Sequence, residues 1–187
     1  MSYRVGYFVG SLSSTSINRK LAEALVKLGA EGVEFFEIPI KDLPLYSPDH
    51  DADYPAEGRA LKDAVASAQA ILFVTPEYNR SIPGALKNAI DWASRPWGQN
   101  SFDHKPTAII GASIGVIGTA VAQQSLRAVM AFCNARLMTA PEAYIHFTDD
   151  LIDADGNAND ASRDFLAAFM AEFDEHARRV MQVLPPK

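Results

Sequence analysis

The stretch from residue 71 to residue 92 reads ILFVTPEYNRSIPGALKNAIDW and contains two different patterns. Its first four residues are apolar, with β-branched and aromatic members, which is typical of a strand buried on both faces. Pro76 ends that strand because proline has no N–H to donate to a sheet. Apolar residues then recur at helical spacing, with Ser81 predicted as the N-cap and Pro83 in the first turn. The stretch therefore predicts a strand, a polar loop and a helix.

The loop of this unit carries Glu77, Tyr78, Asn79 and Arg80. Ligands of open α/β sheets bind at the carboxyl ends of strands, so this loop is a candidate binding edge. An alternative is that these residues only turn the chain between a strand and a helix. Spacing alone does not separate the two interpretations.

A second loop of the same kind lies near the start of the chain. Residues 3–9 predict a strand, and residues 17–28 predict a helix with Ser16 as N-cap and Gly29 as the stop. Between them, residues 10–16 are glycine and hydroxyl residues apart from one leucine, and such a loop at the positive end of a helix dipole favours a phosphate. The loop has neither the Gly-Lys-Ser/Thr ending of a triphosphate loop nor the three glycines of a dinucleotide loop, so a monophosphate suits it best. A generic serine-rich loop remains the alternative.

Strand and helix patterns alternate along the remaining chain. Further strands are predicted at residues 33–38 and 107–112 and near 143–147, and further helices at 57–68, 121–133 and 162–183. Five alternations predict a doubly wound, five-stranded parallel α/β sheet of flavodoxin-like order 2-1-3-4-5 with helices on both faces. Because the chain reverses between the first and third strands in that order, the two loops described above should meet at one ligand site.

Several other segments are open to two interpretations. The aromatic residues Trp97 and Phe102 could pin the loop at 94–105 to the core, or they could wall a ligand or a partner subunit. The long loop at 39–56 should be functional or mobile. Within the helix at 121–133, Gln123 is predicted away from the apolar face, and Phe165 begins the apolar stripe of the last helix. The aspartate-rich segment 149–160 lacks the twelfth-position glutamate of a calcium loop and predicts a polar turn.

The string TPEYNRSIPGALKNAIDW closely resembles the signature of the NADPH-dependent FMN reductase family, the flavodoxin-like group that includes bacterial quinone and chromate reductases. This resemblance implies that Pro76, Glu77, Tyr78 and Asn79 lie along the flavin ring. Glu77 is then a cofactor contact, and no side chain is predicted to be catalytic.

Two more loops resemble those of the same family. Gly10-Ser11-Leu12 followed by Ser16-Ile17-Asn18 resembles its FMN-phosphate loop, which implies phosphate-binding roles for Ser11, Ser16, Ile17 and Asn18. Many family members have an arginine where this chain has Ser13, which leaves open whether Arg19 supplies that charge. The run GASIGVIG at 111–118 resembles the third flavin-contacting loop and implies contacts from Ser113 and Gly115.

The resemblance implies an oxidoreductase that passes a hydride from NADPH or NADH through bound FMN to a small acceptor, such as a quinone, an azo dye, chromate or free flavin. The alternative is a flavodoxin-type electron carrier that acts through protein partners. Such carriers usually have a strongly acidic docking face, whereas the net charge of −6 is spread along this chain, which favours the enzyme. A flavin-bound regulator without turnover is a third possibility.

Composition bounds these hypotheses. A length of 187 residues with 48% hydrophobic content predicts one domain spanning residues 1–187. The acidic net charge and the lack of a dense Lys/Arg run argue against nucleic acid and anionic membrane surfaces as partners. No apolar run approaches the roughly 20 residues of a membrane span, and no signal segment precedes the first strand, so the cytoplasm is the expected location. The resemblance, together with Trp92, Trp97 and Phe102, predicts a homodimer or homotetramer.

Overall fold

Residues 2–184 are described by a computed structural model, and their strands form one parallel sheet. The strands are β1 (Tyr3–Val9), β2 (Val33–Glu37), β3 (Ala70–Val74), β4 (Pro106–Ser113), β5 (Arg136–Leu137) and β6 (Tyr144–His146). The helices are α1 (Ile17–Lys27), α2 (Ala56–Ser67), α3 (Gly84–Ala93), α4 (Ala120–Phe132) and α5 (Asp160–Val183), with a 3₁₀ turn at Pro48–His50. The order β2-β1-β3-β4-β5 confirms the predicted topology.

The edge beside β4 differs from the prediction of one fifth strand near 143–147. In the described range 2–184, two short strands share this edge: β5 pairs with the start of β4, and β6 pairs with its end. Pro141 lies between them, and proline has no N–H with which to continue a ladder. The edge is therefore completed by two short segments instead of one strand.

The central strands are buried because helices cover both faces of the sheet. All five residues of β3 are buried, as a strand in the middle of a parallel sheet requires. One face packs against α1 and α5, through side chains that include Leu21, Leu25, Phe169 and Phe173. The other face packs against α2, α3 and α4, through side chains that include Leu61, Leu86 and Leu126. Full burial of each such side chain contributes roughly 1.5–3 kcal/mol, so these two layers hold the sheet and the loops at its edge.

Helix α3 begins later than the sequence predicts. Pro83 is its N-cap, so the prediction of Ser81 as N-cap is wrong. Ser81 instead exchanges two backbone hydrogen bonds with Tyr78, at 3.1 and 3.0 Å. Because these bonds hold Ser81 in a short antiparallel bridge, helical backbone starts only at Gly84.

Four other positions refine the predicted burial. Trp92 and Phe102 are fully buried in the core, and only Trp97 of the three predicted assembly aromatics is exposed, at 77%. Gln123 is buried and donates to the Thr119 hydroxyl and the Ala143 carbonyl, so its predicted solvent-facing position is wrong. Phe165 is 43% exposed and its neighbour Leu166 is buried, so the buried stripe of α5 begins at Leu166, whereas Phe169, Phe173 and Ala177 are buried as predicted.

Candidate active site

Three loops meet at the carboxyl edge of the sheet and enclose an open cleft of about 300 Å³. They follow β1, β3 and β4. The cleft is lined by Ser11, Ser13, Thr15, Ser16, Ile17, Asn18, Pro76, Glu77, Tyr78, Ala112, Ser113 and Ile114. The structure thus brings together eight of the ten predicted site residues, whereas Asn79 and Gly115 lie outside the lining.

Four lining residues were not singled out from the sequence: Ser13, Thr15, Ala112 and Ile114. Ser13 and Thr15 carried a signal, since they belong to the hydroxyl-rich loop. Ala112 and Ile114 belong to the run at 111–118 that resembles the third flavin-contacting loop, but their apolar side chains gave no separate indication of a ligand contact.

The start of α1 forms the polar end of the cleft. Ser16 caps this helix by accepting the N–H of Arg19 at 3.2 Å, and Ser11 accepts the N–H of Ser13 at 3.3 Å. Within residues 2–184, no hydrogen bond uses the N–H groups of Ile17 and Asn18, and no acidic residue occupies the first turn of α1. Free N–H groups at the positive end of an 11-residue helix favour an anion at this end of the cleft.

Asn18 does more than line the cleft. Its side chain is 1% exposed, donates to the Ala112 carbonyl at 2.9 Å and accepts the Ala112 N–H at 2.8 Å. These two bonds tie the first turn of α1 to the end of β4. The side chain that the family resemblance assigns to a phosphate is therefore held against the backbone, and the N–H of Asn18 is the group left for an anion.

Arg19 lies one turn into α1. Its guanidinium makes a bidentate ion pair with Glu37 at the end of β2, with N–O distances of 2.7 and 2.8 Å. Hydrogen bonding to Glu37 raises the pKa of Arg19. The charge that the sequence offered as a replacement for the family's arginine is thus neutralised by a carboxylate.

The loop after β3 forms the opposite wall as a tight hairpin turn. Its two central residues, Asn79 and Arg80, have positive φ values of 50° and 62°, between the bridged residues Tyr78 and Ser81. A two-residue turn with both central residues in the left-handed region matches the twist of the chain on either side. This geometry leaves the Tyr78 ring half-exposed beside the cleft.

Glu77 connects this wall to the third loop. Its side chain is 8% exposed, and one carboxylate oxygen accepts the N–H groups of Val121 and Ala122, both at 3.0 Å. The other oxygen accepts from Arg80 at 3.1 Å. Sequence reasoning missed this contact because its partners lie 44 and 45 positions further along the chain.

The two ends of the cleft differ in chemistry. Hydroxyl and N–H groups line the α1 end, whereas Pro76, Tyr78 and Ile114 line the other part. This arrangement suits a molecule with a phosphate at one end and a flat ring at the other. The cleft lies between β1 and β3, where the strand order reverses, which is the ligand position of doubly wound folds. Fold and cleft together define a flavodoxin-like protein with a candidate mononucleotide site.

Comparison with known proteins narrows this class. The model of the NADPH-dependent FMN reductase family matches residues 3–150, and the chain belongs to that family. It is 49% identical over 174 residues to the 2-hydroxy-1,4-benzoquinone reductase of a Burkholderia species, with 92% of this chain and 95% of that one covered. It is 44% identical over 172 residues to a quinone reductase of Pseudomonas putida, covering 91% and 92% of the two chains.

Solved structures agree with this assignment. FerB, a flavoenzyme NAD(P)H:(acceptor) oxidoreductase from Paracoccus denitrificans, superimposes with a TM-score of 0.91 at 43% identity, covering 95% of this chain and 98% of that one. A flavodoxin mutant from Pseudomonas aeruginosa, at 18% identity and a TM-score of 0.58, shares the fold alone. Family membership makes this chain an NAD(P)H-dependent oxidoreductase with FMN as its cofactor, as the sequence predicted.

No helix within residues 2–184 combines the length and the apolar character that a bilayer crossing requires. The same residues bring together no group of three His, Cys, Asp or Glu side chains that could hold a metal ion.

Proposed function

We propose that this chain reduces quinones, with NADPH or NADH as the reductant and FMN bound in the cleft at the carboxyl edge of the sheet. The observation that supports this most directly is the convergence of the loops after β1, β3 and β4 on one cleft whose lining combines hydroxyl residues with Pro76, Tyr78 and Ile114. Its relatives at 49% and 44% identity are named as reductases of 2-hydroxy-1,4-benzoquinone and of quinones, which supports a benzoquinone as the acceptor class.

FMN fits the residues of this cleft. The N–H groups of Ile17 and Asn18 and the hydroxyls of Ser11 and Ser16 would hold the phosphate at the start of α1. The ring would lie beside the segment formed by Pro76, Glu77, Tyr78 and Asn79, and the loop with Ser113 and Gly115 would close the third side. When bound, FMN supplies the redox chemistry by taking up a hydride and delivering it to the acceptor.

The side chains around the cleft bind and orient; they are not required to transfer protons. Glu77 is the carboxylate of the lining, and both of its oxygens already accept hydrogen bonds. Three of the roughly four lone-pair positions of this carboxylate are engaged, and these bonds fix it between two backbone N–H groups and a guanidinium. The geometry therefore supports the role of cofactor-loop residue for Glu77.

The charge around the cleft affects which electron acceptors can be expected to bind there. Arg19 and Arg80, the arginines nearest to the cleft loops in sequence, are each paired with a carboxylate. Little positive charge is then left to attract an anion, which supports neutral quinones over chromate among the acceptors that the sequence suggested. Azo dyes and free flavin belong to the same proposal as slower acceptors.

The proposal also covers the organisation of the protein. We take residues 1–187 as one FMN-binding domain that acts in the cytoplasm as a homodimer or homotetramer. The exposed apolar residues Ile114, Val116 and Ile117 next to the cleft, and Trp97 with Phe132 away from it, support association.

Two measurements test the proposed function. Heat release and chromatography of the bound flavin should identify FMN, and FAD or a lack of affinity for FMN would contradict the proposal. Steady-state oxidation of NADPH and of NADH should then be compared with 2-hydroxy-1,4-benzoquinone, chromate, an azo dye, free FMN and cytochrome c as acceptors. The highest kcat/KM is expected for the quinone, whereas efficient reduction of cytochrome c alone would indicate a carrier.

A further inference from the structure

Glu77 lies where two walls of the cleft meet, and its contacts differ from those of its neighbours in the same loop. One oxygen accepts two N–H groups from the first turn of α4, and the other accepts the guanidinium of Arg80 from its own hairpin turn. We propose that Glu77 is a positioning residue that clamps the loop after β3 to the loop after β4, and thereby sets the width of the FMN cleft. The cofactor part of this inference rests on the proposed function.

The start of α4 shows why such a clamp is needed. Its N-cap residue, Thr119, makes no side-chain capping bond within residues 2–184. The first N–H groups of a helix need an acceptor, and a carboxylate is the best one because it also interacts favourably with the helix dipole. Glu77 supplies this acceptor from a different loop, so the two loops share one set of hydrogen bonds.

The clamp requires an acceptor on both of its sides. A carboxylate has two acceptor oxygens, whereas the amide of glutamine has one acceptor oxygen and one donor NH₂ group. In a Glu77→Gln variant, the NH₂ group must face either the N–H groups of α4 or the guanidinium of Arg80. Each orientation places donor against donor, so the substitution breaks one side of the clamp although it conserves shape.

Removing Arg80 relieves this conflict. In an Arg80→Ala background, the NH₂ group of glutamine can face the space left by the guanidinium while its oxygen keeps the N–H groups of Val121 and Ala122. The effect of Glu77→Gln should therefore depend on whether Arg80 is present. A residue that acts only through its own charge on the flavin would show no such dependence.

The first test is a double-mutant cycle on FMN affinity. Glu77→Gln should raise the Kd for FMN at least ten-fold in the wild-type background and no more than three-fold in the Arg80→Ala background. The matched control is Glu34→Gln, which removes an Arg–Glu pair of the same length, 3.1 Å to Arg4, from a strand outside the cleft lining. This control should leave the Kd within two-fold of wild type.

The second test needs no flavin. Amide hydrogen exchange at Val121 and Ala122 in the apoprotein should accelerate at least ten-fold in Glu77→Ala, which removes both acceptor oxygens, and should stay slow in Arg80→Ala, which leaves them in place. A Val121→Pro variant removes one of the donors from the helix side, at a first-turn position that tolerates proline, and should also weaken FMN binding.

The possible results distinguish a failure of the Glu77 clamp from a failure of the proposed FMN site. Unchanged exchange at both amides in Glu77→Ala, or equal losses of FMN affinity on Glu77→Gln with and without Arg80, would overturn the clamp. A pH profile of FMN-saturated turnover that loses a limb in Glu77→Gln would also overturn it, because that result marks proton transfer. Accelerated exchange in Glu77→Ala, with no FMN bound by the wild type or any variant, would leave the clamp standing and refute the proposed cofactor site.

Discussion

Asn18 illustrates how one buried side chain can fix the geometry of a site. Its two hydrogen bonds to the backbone of Ala112 join α1 to β4 across 94 positions of sequence. The family resemblance assigned it to a phosphate, and the sequence had no means to show that its amide faces backbone. The side chain matches both backbone groups of Ala112 because an amide is donor and acceptor at once.

Asn18→Ala should therefore destabilise the protein as well as weaken FMN binding. It leaves a buried N–H and a buried carbonyl without partners, which should cost about 2–4 kcal/mol and lower the Tm by roughly 5–15 °C. Calorimetry of the apoprotein measures the first effect, and flavin titration measures the second. Asn157→Ala, at an exposed turn, is the control and should change the Tm little. A wild-type Tm in the Asn18→Ala variant would contradict the conclusion that the Asn18–Ala112 hydrogen bonds stabilise the fold.

Gly111 in β4 marks another constraint behind the cleft. A Cβ atom built there would lie 2.0 Å from the Thr75 carbonyl oxygen and 2.5 Å from the Thr119 hydroxyl. Gly111→Ala should force the ends of β3 and β4 apart and destabilise the fold by about 1–3 kcal/mol or more. Gly84→Ala is the matched control, since no atom lies within 4 Å of its Cβ position at the start of α3. Chemical denaturation of both variants compares them, and equal stability would contradict the crowding at Gly111.

Among the secondary-structure elements, helix α3 holds the long loop before α2 in place by hydrogen bonds. The sequence predicted that this loop would be functional or mobile. Asn88 of α3 accepts the N–H of Tyr46 and donates to the Pro44 carbonyl, each at 2.9 Å. Trp92 donates to the same carbonyl at 2.7 Å, and its ring packs against Tyr46 and Tyr54. The loop therefore lies against α3 along much of its length.

Asn88→Ala should loosen this loop without unfolding the sheet. Both of its contacts to the loop are lost, while the ring contacts and the bond from Trp92 remain. Limited proteolysis should cut within residues 41–53 several-fold faster than in the wild type. Lys87→Ala, the neighbouring substitution that removes only an exposed ion pair to Asp91, serves as the control. Equal cleavage rates in the two variants would show that Asn88 does not hold the loop.

For the whole molecule, the structure changes the reasons for expecting an assembly. Trp92 and Phe102 belong to the core, so they no longer support it. Trp97 and Phe132 do support it: they are 77% and 71% exposed, with ring centroids 6.4 Å apart. Apolar groups left in water at adjacent positions favour burial against another surface.

Light scattering should give a mass of two or four times 20.3 kDa at micromolar concentration. Phe132→Asp should shift the population toward smaller species, because a charge would have to be desolvated in the interface. Leu45→Asp, which changes an apolar side chain that is 83% exposed in the long loop before α2, is the control and should not alter the mass. A wild-type monomer would contradict the predicted assembly.

The order of the strands, the positions of β1, α1 and β3, and the loops of the cleft were all predicted from sequence. These features depend on local signals: runs of apolar residues, a capping serine, and turn residues at the strand ends. The edge of the sheet was predicted less well. The strands β5 and β6 have two and three residues, too few for alternation to be distinguished from a loop.

The amino-acid sequence alone determined the doubly wound class and the meeting of the loops after β1 and β3, because periodicity and chain reversal are properties of the order of residues; the third loop was implied by the family resemblance. Only the tertiary structure decided what the polar side chains of those loops do. Asn18, Arg19 and Glu77 each found partners far along the chain, in Ala112, in Glu37 and at the start of α4. Such partners are brought together by packing of the helices on the sheet, and a buried donor or acceptor takes whichever group that packing places within hydrogen-bond distance.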